Sequence, residues 1–211
     1  MSTVTHEAKG RLLDVGCGNK PYRNLFINVT EYIGIDRPSS VDNSRPGFAN
    51  RRKHYDVVGA GDDLPFKDCL FDTILCTQVI EHFPDPIKFF RESARVSLPE
   101  AKLLLTAPLV NPVHEAPYDF FRYTNYGLTE LCNRGCWRVK EIKPFGGAWL
   151  AIGYLLLLTF DQRVNITSSP MQQRVWRSLG WRAYNLMGWL DKKFPQHETT
   201  VGFLLVADKF L

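Results

Sequence analysis

Short apolar runs of five to seven residues recur along the first half of the chain and predict buried strands. Strands that are apolar throughout are typical of a parallel sheet that is covered on both faces. Helical patterns and segments with glycine or proline separate the runs, and this alternation predicts an α/β fold. The predicted strands are 11–15, 31–36, 54–58, 71–77 and 102–107, followed later in the chain by 137–143 and 200–210.

Three helices are predicted between these strands. A short helix is expected over Lys20–Ile27, after the first glycine-bearing turn. A second helix is expected to begin at Pro86, with Asp85 as its N-cap. A third is expected over 124–133, with a threonine cap at its start and a glycine after its end. Residues 37–53 are polar and contain two prolines, so they are predicted to form a loop.

About 55 residues separate the last two predicted strands, far more than a hairpin connection needs. Residues 146–198 are therefore predicted to form an apolar helical insert within a single domain over 1–211. Residues 145–160 carry no charge, but a membrane-spanning helix needs about 20 apolar residues, so no span is expected. Residues 173–194 combine tryptophans with arginines and lysines. Peripheral membrane contact and a homodimer face are both compatible with this pattern.

Composition and charge restrict the class of protein and its partners. The 211 residues are 45% hydrophobic and 23% charged, which suits one folded domain with a full core. The formal net charge is +4 and no long run of lysine or arginine occurs, so nucleic acid is not expected as a partner. Five cysteines without a CxxC pair favour reduced thiols and a cytoplasmic location, and no secretory signal is recognised. Cys132 and Cys136 have no partner group for zinc, and no metal site is predicted.

The first predicted strand ends at Asp14-Val15, and a turn containing Gly16 and Gly18 follows. Glycines let a backbone adopt left-handed conformations and approach a ligand closely, and a strand followed by such a turn forms the nucleotide pocket of doubly wound folds. The second predicted strand ends in Asp36, whose carboxylate can accept hydrogen bonds from both hydroxyls of a ribose. A turn-forming acid before Pro38 is the structural alternative. The glycine turn upstream favours the ribose.

These motifs resemble, in order and spacing, the class I S-adenosylmethionine-dependent methyltransferases, in particular the group called methyltransferase type 11. The resemblance extends over roughly residues 10–145 and the last strand. It implies an α/β fold with a Rossmann-like, seven-stranded, mostly parallel sheet, in which the last strand is antiparallel and follows the helical insert. The residues that carry it are Asp14-x-Gly16-x-Gly18, Asp36, Asp63-Leu64-Pro65-Phe66, Phe71-Asp72 and Glu81-His82-Phe83-Pro84-Asp85.

The resemblance also implies the cofactor, S-adenosyl-L-methionine, and the residues that bind it. Asp14 is expected to orient the glycine turn and to reach the methionine amino group, and Asp36 to hold the ribose diol. The acidic loop near residue 63 would border the adenine, and the residues after the fourth strand would flank the methionine. The implied cofactor-binding residues are Asp14, Gly16, Cys17, Gly18, Asp36, Arg37, Asp62, Asp63, Leu64, Thr77 and Gln78.

Two positions depart from the family pattern. Lys20 stands where a third glycine is often found, and Ala60 stands where an acid commonly precedes the acidic loop. Adenine recognition is therefore expected from Asp62 or from backbone groups. NAD is the rival cofactor, but its fingerprint requires a glycine where this chain has Pro21. A carboxylate at Asp14 also suits the cationic methionine end better than a pyrophosphate.

Residues 111–123, which we call the lid segment, follow the fifth strand and are dense in aromatic and titratable side chains. The resemblance implies that this segment covers the methyl acceptor. His114 is the candidate general base because its unperturbed pKa lies near neutrality, and His82 is a second candidate. In the structural alternative, an acid and an arginine three residues apart only pair with each other. The residues expected to shape the pocket are Tyr118, Asp119, Arg122 and Tyr123, together with His114.

Two functions are predicted from these residues. The first is S-adenosylmethionine-dependent methyl transfer to a small-molecule, glycan-precursor or lipid-linked acceptor. The second is a catalytically inactive, methyltransferase-like subunit that acts as a binding module or adaptor. Its support is limited to the departures at Lys20 and Ala60. Fold and cofactor site do not specify the acceptor, because one fold serves many substrates.

Overall fold

The computed structural model describes residues 1, 3–37, 54–166, 169–196 and 198–210, so most of the predicted 37–53 loop lies outside the described residues. The strands in these ranges are β1 (Gly10–Val15), β2 (Val29–Asp36), β3 (Val57–Val58), β4 (Phe71–Thr77), β5 (Ser97–Pro108), β6 (Trp137–Phe145) and β7 (Gly202–Lys209). The α-helices are α1 (Pro86–Val96), α2 (Asn125–Arg134), α3 (Ala148–Ile166) and α4 (Pro170–Lys193).

Across the described ranges the strands form one seven-stranded sheet in the order β3-β2-β1-β4-β5-β7-β6. The pairs β1–β2, β1–β4, β2–β3 and β4–β5 are parallel. The last strands are antiparallel, and α3 and α4 lie between β6 and β7 in the chain. The predicted fold class is therefore confirmed, including the antiparallel last strand and the helical insert before it.

The central strands are apolar because they are buried on both faces, as parallel strands in a covered sheet must be. Their registers bring the carboxyl ends of β1, β2 and β4 to the same edge. Asp14 lies opposite both Gly34 of β2 and Leu75 of β4, and the next residue of β1 lies opposite Cys76. In open α/β sheets ligands bind at this edge. The fully buried side chains of the central strands include Leu12, Leu13, Ile74, Leu75, Leu103 and Leu104.

Two helix starts agree with the sequence, although only one cap forms as expected. Helix α1 begins at Pro86, but the Asp85 side chain makes no capping hydrogen bond. Helix α2 begins after Thr124, whose hydroxyl accepts a hydrogen bond from the Gly127 N–H at 3.1 Å. Gly135 follows the last turn of this helix, as predicted. The α2 cap is confirmed, and Asp85 is the N-cap residue of α1 as predicted but contributes no side-chain hydrogen bond.

Two further local predictions are wrong, and one ion pair accounts for both. The helix predicted over 20–27 is only a 3-10 turn, Arg23–Leu25, because Lys20 has a φ of +53° and its side chain is buried against Asp56. The strand predicted over 54–58 contains only Val57 and Val58. The Gly34 N–H of β2 donates to the Asp56 carboxylate at 2.7 Å. A side chain therefore takes the place of a backbone acceptor at this point of the pairing between β2 and the residues before β3.

The chain divides into two compact units, the first containing Met1–Ala107, Val113–Lys143 and Leu204–Leu211 and the second Pro108–Pro112 and Pro144–Phe203. Within the second unit, α3 and α4 approach closely at Gly153, where an added Cβ would lie 2.7 Å from Met187 Cβ. Trp181 and Trp189 of α4 are more than half exposed. Among the described helices, none combines the length and apolarity that crossing a membrane requires. Contact of 146–198 with lipid or a second copy stays a prediction.

Candidate functional site

The glycine turn after β1 is held by backbone hydrogen bonds to β2. The Gly16 and Cys17 N–H groups both donate to the Ile35 carbonyl, at 2.9 and 3.2 Å. Gly16 has a φ of +70°, and a Cβ there would lie 2.3 Å from a methyl group of Val79. Gly18 has a φ of +49°, and a Cβ there would meet no atom within 4 Å. One glycine is therefore needed for close packing, while the other leaves an open surface beside the chain.

Asp36, at the end of β2, faces this turn. Its Oδ2 accepts a hydrogen bond from the Gly18 N–H at 2.9 Å, which fixes the carboxylate beside the open glycine. A carboxylate has two oxygens and about four acceptor positions, so it can also accept hydrogen bonds from a diol. Asp36 therefore lies beside the open glycine of the turn, and its contact with a ribose stays a prediction.

Asp14 is buried at the centre of the same edge. Its Oδ2 accepts a hydrogen bond from the Tyr32 hydroxyl at 2.6 Å, whereas Oδ1 has no hydrogen-bond partner among the described residues. Burial raises the pKa of Asp14 to about 7, and the Tyr32 hydrogen bond only partly offsets this effect. A buried carboxylate oxygen without a partner is costly, and a bound cationic group would satisfy it.

The remaining predicted donor-side residues have different environments. Cys17 is buried, and burial raises the pKa of its thiol to about 12, so it lines the turn as a neutral group. Arg37 donates to Asp62 at 2.9 Å, which ties the end of β2 to the acidic loop. Asp63 is exposed, whereas Leu64 is only 3% exposed. The loop therefore presents acidic side chains, and the proposed contact of a base with Leu64 has little side-chain surface available.

Thr77 and Gln78 end β4 at the same sheet edge. Gln78 is exposed and has a φ of +54°. Its N–H donates to the Thr106 carbonyl, and its side-chain amide donates to the Thr106 hydroxyl at 3.2 Å. The chain therefore turns sharply after β4, beside the residue Val79 that packs against Gly16.

The Lys20 departure from the family pattern has a structural explanation. Lys20 Nζ donates to Asp56 Oδ2 at 2.5 Å, and its side chain is 6% exposed. A Cβ on Gly34 would lie 2.5 Å from the Lys20 side chain, so the lysine fills the space beneath β2. A lysine paired with Asp56 thus occupies the position of the third glycine, while Gly16, Gly18 and Asp36 remain together at the turn.

A second cluster of polar side chains follows β4 and includes part of the lid segment. His82 Nδ1 lies 2.6 Å from the Tyr118 carbonyl oxygen, and the His82 and His114 rings meet edge to face at 4.9 Å. His114 Nδ1 lies 3.2 Å from Asp119 Oδ2, and His114 Nε2 lies 4.0 Å from Glu81 Oε1. The structure therefore brings both predicted histidines together. The general-base role of either one stays a prediction.

Asp119 and Arg122 form the pair that the structural alternative for the lid predicted. Arg122 donates to both Asp119 oxygens, at 2.6 and 2.7 Å, and the Asp119 side chain is 1% exposed. The Arg122 guanidinium holds the pKa of Asp119 well below its ordinary value. The His114 backbone N–H also donates to Asp119 at 2.9 Å, so this pair fixes the position of His114.

The two tyrosines that were predicted to shape the lid, Tyr118 and Tyr123, differ in solvent exposure. Tyr123 is 6% exposed, and its hydroxyl donates to the Ile80 carbonyl at 3.1 Å. Burial raises its pKa, so it anchors the segment as a neutral phenol. Tyr118 is 48% exposed and remains available to a ligand. The expected pocket-shaping role therefore suits Tyr118 better than Tyr123.

The sequence did not single out Glu81 as a site residue, although the resemblance included it in a motif. Glu81 is fully buried, and neither carboxylate oxygen accepts a hydrogen bond from another described residue. Burial raises its pKa to about 7, while its own backbone N–H and nearby His82 act in the opposite direction. The available signal was a charged pair, Glu81-His82, directly after an apolar strand.

The sheet order, the glycine turn and the acids at the ends of β1 and β2 resemble those of the class I S-adenosylmethionine-dependent methyltransferases. Residues 13–105 match a family model described as "Methyltransferase domain". The matched residues include Lys20 and Ala60, the two departures from the family pattern.

Curated proteins resemble the chain over about half of its length, and solved structures share its fold. Over 118 residues the chain is 33% identical to tRNA U34 carboxymethyltransferase of Nautilia profundicola, which covers 53% of this chain and 39% of that protein. Over 104 residues it is 33% identical to norajmaline N-methyltransferase of Rauvolfia serpentina, covering 44% of this chain and 34% of that protein. A SAM-dependent methyltransferase of Methanosarcina mazei shares the fold with a TM-score of 0.55 and 16% identity, over 95% of this chain and 92% of that chain.

The chain therefore spans well under half the length of these two curated relatives. Their names also specify different acceptors, U34 of tRNA in one case and norajmaline in the other. The comparisons thus show similarity to a methyltransferase domain over residues 13–105 and leave the acceptor open.

Proposed function

We propose that this chain binds S-adenosylmethionine at the glycine turn and transfers its methyl group to a small-molecule or lipid-linked acceptor. The observation that carries the proposal is the position of Asp36, fixed by the Gly18 N–H at 2.9 Å beside an open glycine. The unsatisfied Oδ1 of Asp14 supports it, because a protonated methionine amino group would supply the missing donor. The residues present therefore fit this cofactor.

The chain's own residues would bind and orient the reactants. When bound, the cofactor supplies a sulfonium methyl group as the electrophile. Asp36 would hold the ribose, Asp14 the methionine end, and the loop at Asp62 and Asp63 would border the adenine. Because an in-line methyl transfer depends mainly on approach distance and alignment, fixed positions supply most of the catalysis.

A small or lipid-linked acceptor is favoured by the chemistry of the lid segment. Tyr118, Phe120 and Phe121 are each more than a third exposed, and such surfaces suit apolar or aromatic acceptors. The mild formal charge of +4 gives little electrostatic attraction for a nucleic acid. An RNA acceptor, which the name of one relative suggests, would require a basic surface that the sequence does not indicate.

Removal of the Asp36 carboxylate tests the donor site. Isothermal titration of the wild-type protein with S-adenosylhomocysteine is expected to give a dissociation constant in the micromolar range. Asp36→Ala should weaken binding by about 10–100-fold or more, because two charge-assisted hydrogen bonds to the ribose are lost.

Glu130→Ala is the matched control, since Glu130 is an exposed acid on α2 outside the site. It should bind like the wild type. Equal affinities for wild type and a folded Asp36→Ala protein would exclude the ribose role of Asp36. Failure of the wild type itself to bind would favour the inactive subunit or adaptor.

A further inference from the structure

Three side chains with metal-binding atoms converge at the end of β4. One ligand atom from each of Glu81, His82 and His114 lies within 4.8 Å of the others. Glu81 and His82 belong to the 3-10 turn Ile80–His82, and His114 belongs to the lid segment. A hydrogen bond from the Phe120 N–H to the Glu81 carbonyl, at 3.0 Å, joins the two segments.

The surroundings of the two histidines orient their Nε2 atoms for metal binding. A carbonyl oxygen only accepts hydrogen bonds, so the 2.6 Å contact of His82 Nδ1 with Tyr118 O requires a proton on Nδ1. Asp119 plays the same part for His114 Nδ1 at 3.2 Å, and Arg122 holds the Asp119 carboxylate in place. In both neutral rings the lone pair is then on Nε2. Metal-bound histidines in proteins usually donate their other ring N–H to a carboxylate or carbonyl in this way.

Glu81 provides an independent indication that a ligand belongs in this cluster. Its side chain is 0% exposed, and neither oxygen has a hydrogen-bond partner in another described residue. Buried carboxylates are normally paired, hydrogen-bonded or metal-bound, because isolation from water is costly for them. A cation among Glu81 and the two histidines would satisfy this carboxylate.

We propose that Glu81, His82 and His114 bind a first-row divalent transition-metal ion through a Glu81 carboxylate oxygen and the two Nε2 atoms. Imidazole and carboxylate ligands together suit ions such as Mn²⁺, Fe²⁺, Co²⁺ and Zn²⁺, whereas Mg²⁺ and Ca²⁺ prefer oxygen alone. Three protein ligands leave coordination positions open to water or to a bound molecule.

The distances allow such a site with a small contraction. Ligand atoms on opposite sides of one ion lie about 4.2 Å apart, twice a metal–nitrogen distance of about 2.1 Å. His114 Nε2 and Glu81 Oε1, 4.0 Å apart, are already within this limit. Glu115, half exposed and 3.8 Å from His82 Nε2, adds negative charge at the open side.

Metal ligation gives His114 a role that excludes its predicted one. A histidine whose Nε2 binds a cation cannot accept a proton on that atom. Where the chain transfers a methyl group, as proposed above, an acceptor oxygen on an open coordination position would lose its proton more easily, because a bound cation lowers the pKa of a hydroxyl. This consequence rests on the proposed function, whereas metal binding itself does not.

The direct test is titration of untagged, EDTA-stripped protein with MnCl₂, followed by calorimetry and by the loss of the free-Mn²⁺ EPR signal. Mn²⁺ is the probe because exposed Cys69 and Cys136 could bind Zn²⁺ elsewhere. One ion per chain is expected to bind. His114→Asn and Glu81→Gln should each weaken binding by more than about 10-fold, and Asp119→Asn by about 10–100-fold through the orientation of His114.

His54→Asn is the matched control, since it changes an exposed histidine outside the cluster and should bind Mn²⁺ like the wild type. Wild-type protein that binds no Mn²⁺ at millimolar concentration would overturn the proposal, as would unchanged affinity in folded His82→Asn and His114→Asn variants. His82→Asn replaces Glu81→Gln if the latter does not fold. S-adenosylhomocysteine titrated in EDTA tests the donor site separately, so either proposal can fail without the other.

Discussion

The donor side and the acceptor side of the candidate site are built in different ways. On the donor side, the Gly16 and Cys17 N–H groups donate to the Ile35 carbonyl of β2, and the Gly18 N–H donates to the Asp36 carboxylate at the end of the same strand. On the acceptor side, Glu81 and His114 are 33 residues apart in the chain, and one backbone hydrogen bond together with side-chain contacts joins their segments. The donor side is therefore part of the sheet's own hydrogen bonding, whereas the acceptor side depends on which side chains the lid segment carries.

Each side nevertheless contains one buried carboxylate with at least one oxygen that accepts no hydrogen bond from another described residue. Burial raises the pKa of Asp14 and of Glu81 to about 7 in both cases. Asp14 accepts one hydrogen bond, from Tyr32, while Glu81 accepts none from another described residue. Both sides therefore carry a cost in stability that a cationic ligand would relieve. The proposed ligand is the methionine ammonium on the donor side and the divalent metal ion on the acceptor side.

The largest effect is expected from crowding of the donor turn. Gly16→Ala should lower the free energy of unfolding by about 3 kcal/mol, because a side chain at φ +70° is strained and its Cβ overlaps Val79. Gly18→Ala should lower it by only about 1 kcal/mol, because its Cβ enters open space. Urea denaturation of both variants measures the difference.

The double variant Gly16→Ala/Val79→Ala supplies the control. Removing the Val79 methyl groups should relieve their overlap with the new Cβ. The double variant should therefore lose less free energy of unfolding than the two single variants lose in sum. Equal destabilisation by Gly16→Ala and Gly18→Ala would show that the turn is not packed against Val79 as described, and the contrast between the two sides would fail.

A smaller effect is expected from the titration of Asp14. A carboxyl group with a pKa of about 7 is roughly 10% ionised at pH 6 and 90% at pH 8. If ionised Asp14 binds the methionine ammonium, the affinity for S-adenosylhomocysteine should rise about tenfold over this range. Calorimetric titrations at pH 6, 7 and 8 measure the change.

Asp14→Asn should remove this dependence, and a wild-type affinity that is independent of pH would contradict the role of Asp14. The pH dependence of folding stability has the opposite sign to the pH dependence of affinity. Because the folded pKa of Asp14 lies above its ordinary value of 3.8, its contribution to stability is present at low pH and is lost as the pH rises from about 4 to 7.

Sequence patterns predicted the features that depend on local or regularly spaced residues. The strand at 71–77 matches β4, and the Thr124 cap of α2 forms, because apolar runs and capping hydroxyls act within a few residues. The glycine turn and Asp36 were predictable for a similar reason, since a fixed motif spacing follows from the geometry of two adjacent strands.

Features that depend on tertiary contacts were not predictable in this way. The Lys20–Asp56 ion pair accounts for the shortening of the strand predicted over 54–58 and for the absence of the helix predicted over 20–27. Its two residues are 36 positions apart, so no local sequence pattern predicts the pair. The convergence of Glu81 with His114 depends on the path of the lid segment, which composition describes only as aromatic and titratable. The burial of Tyr123 likewise follows from its hydrogen bond to Ile80.

The central claim is that the edge of the sheet beside Gly18 and Asp36 binds a sulfonium cofactor and not a dinucleotide. Parallel calorimetric titrations of the wild-type protein with S-adenosylhomocysteine and with NADH test it most directly. The account predicts a micromolar dissociation constant for S-adenosylhomocysteine and no detectable binding of NADH at millimolar concentration. Tight binding of NADH with none of S-adenosylhomocysteine would contradict it.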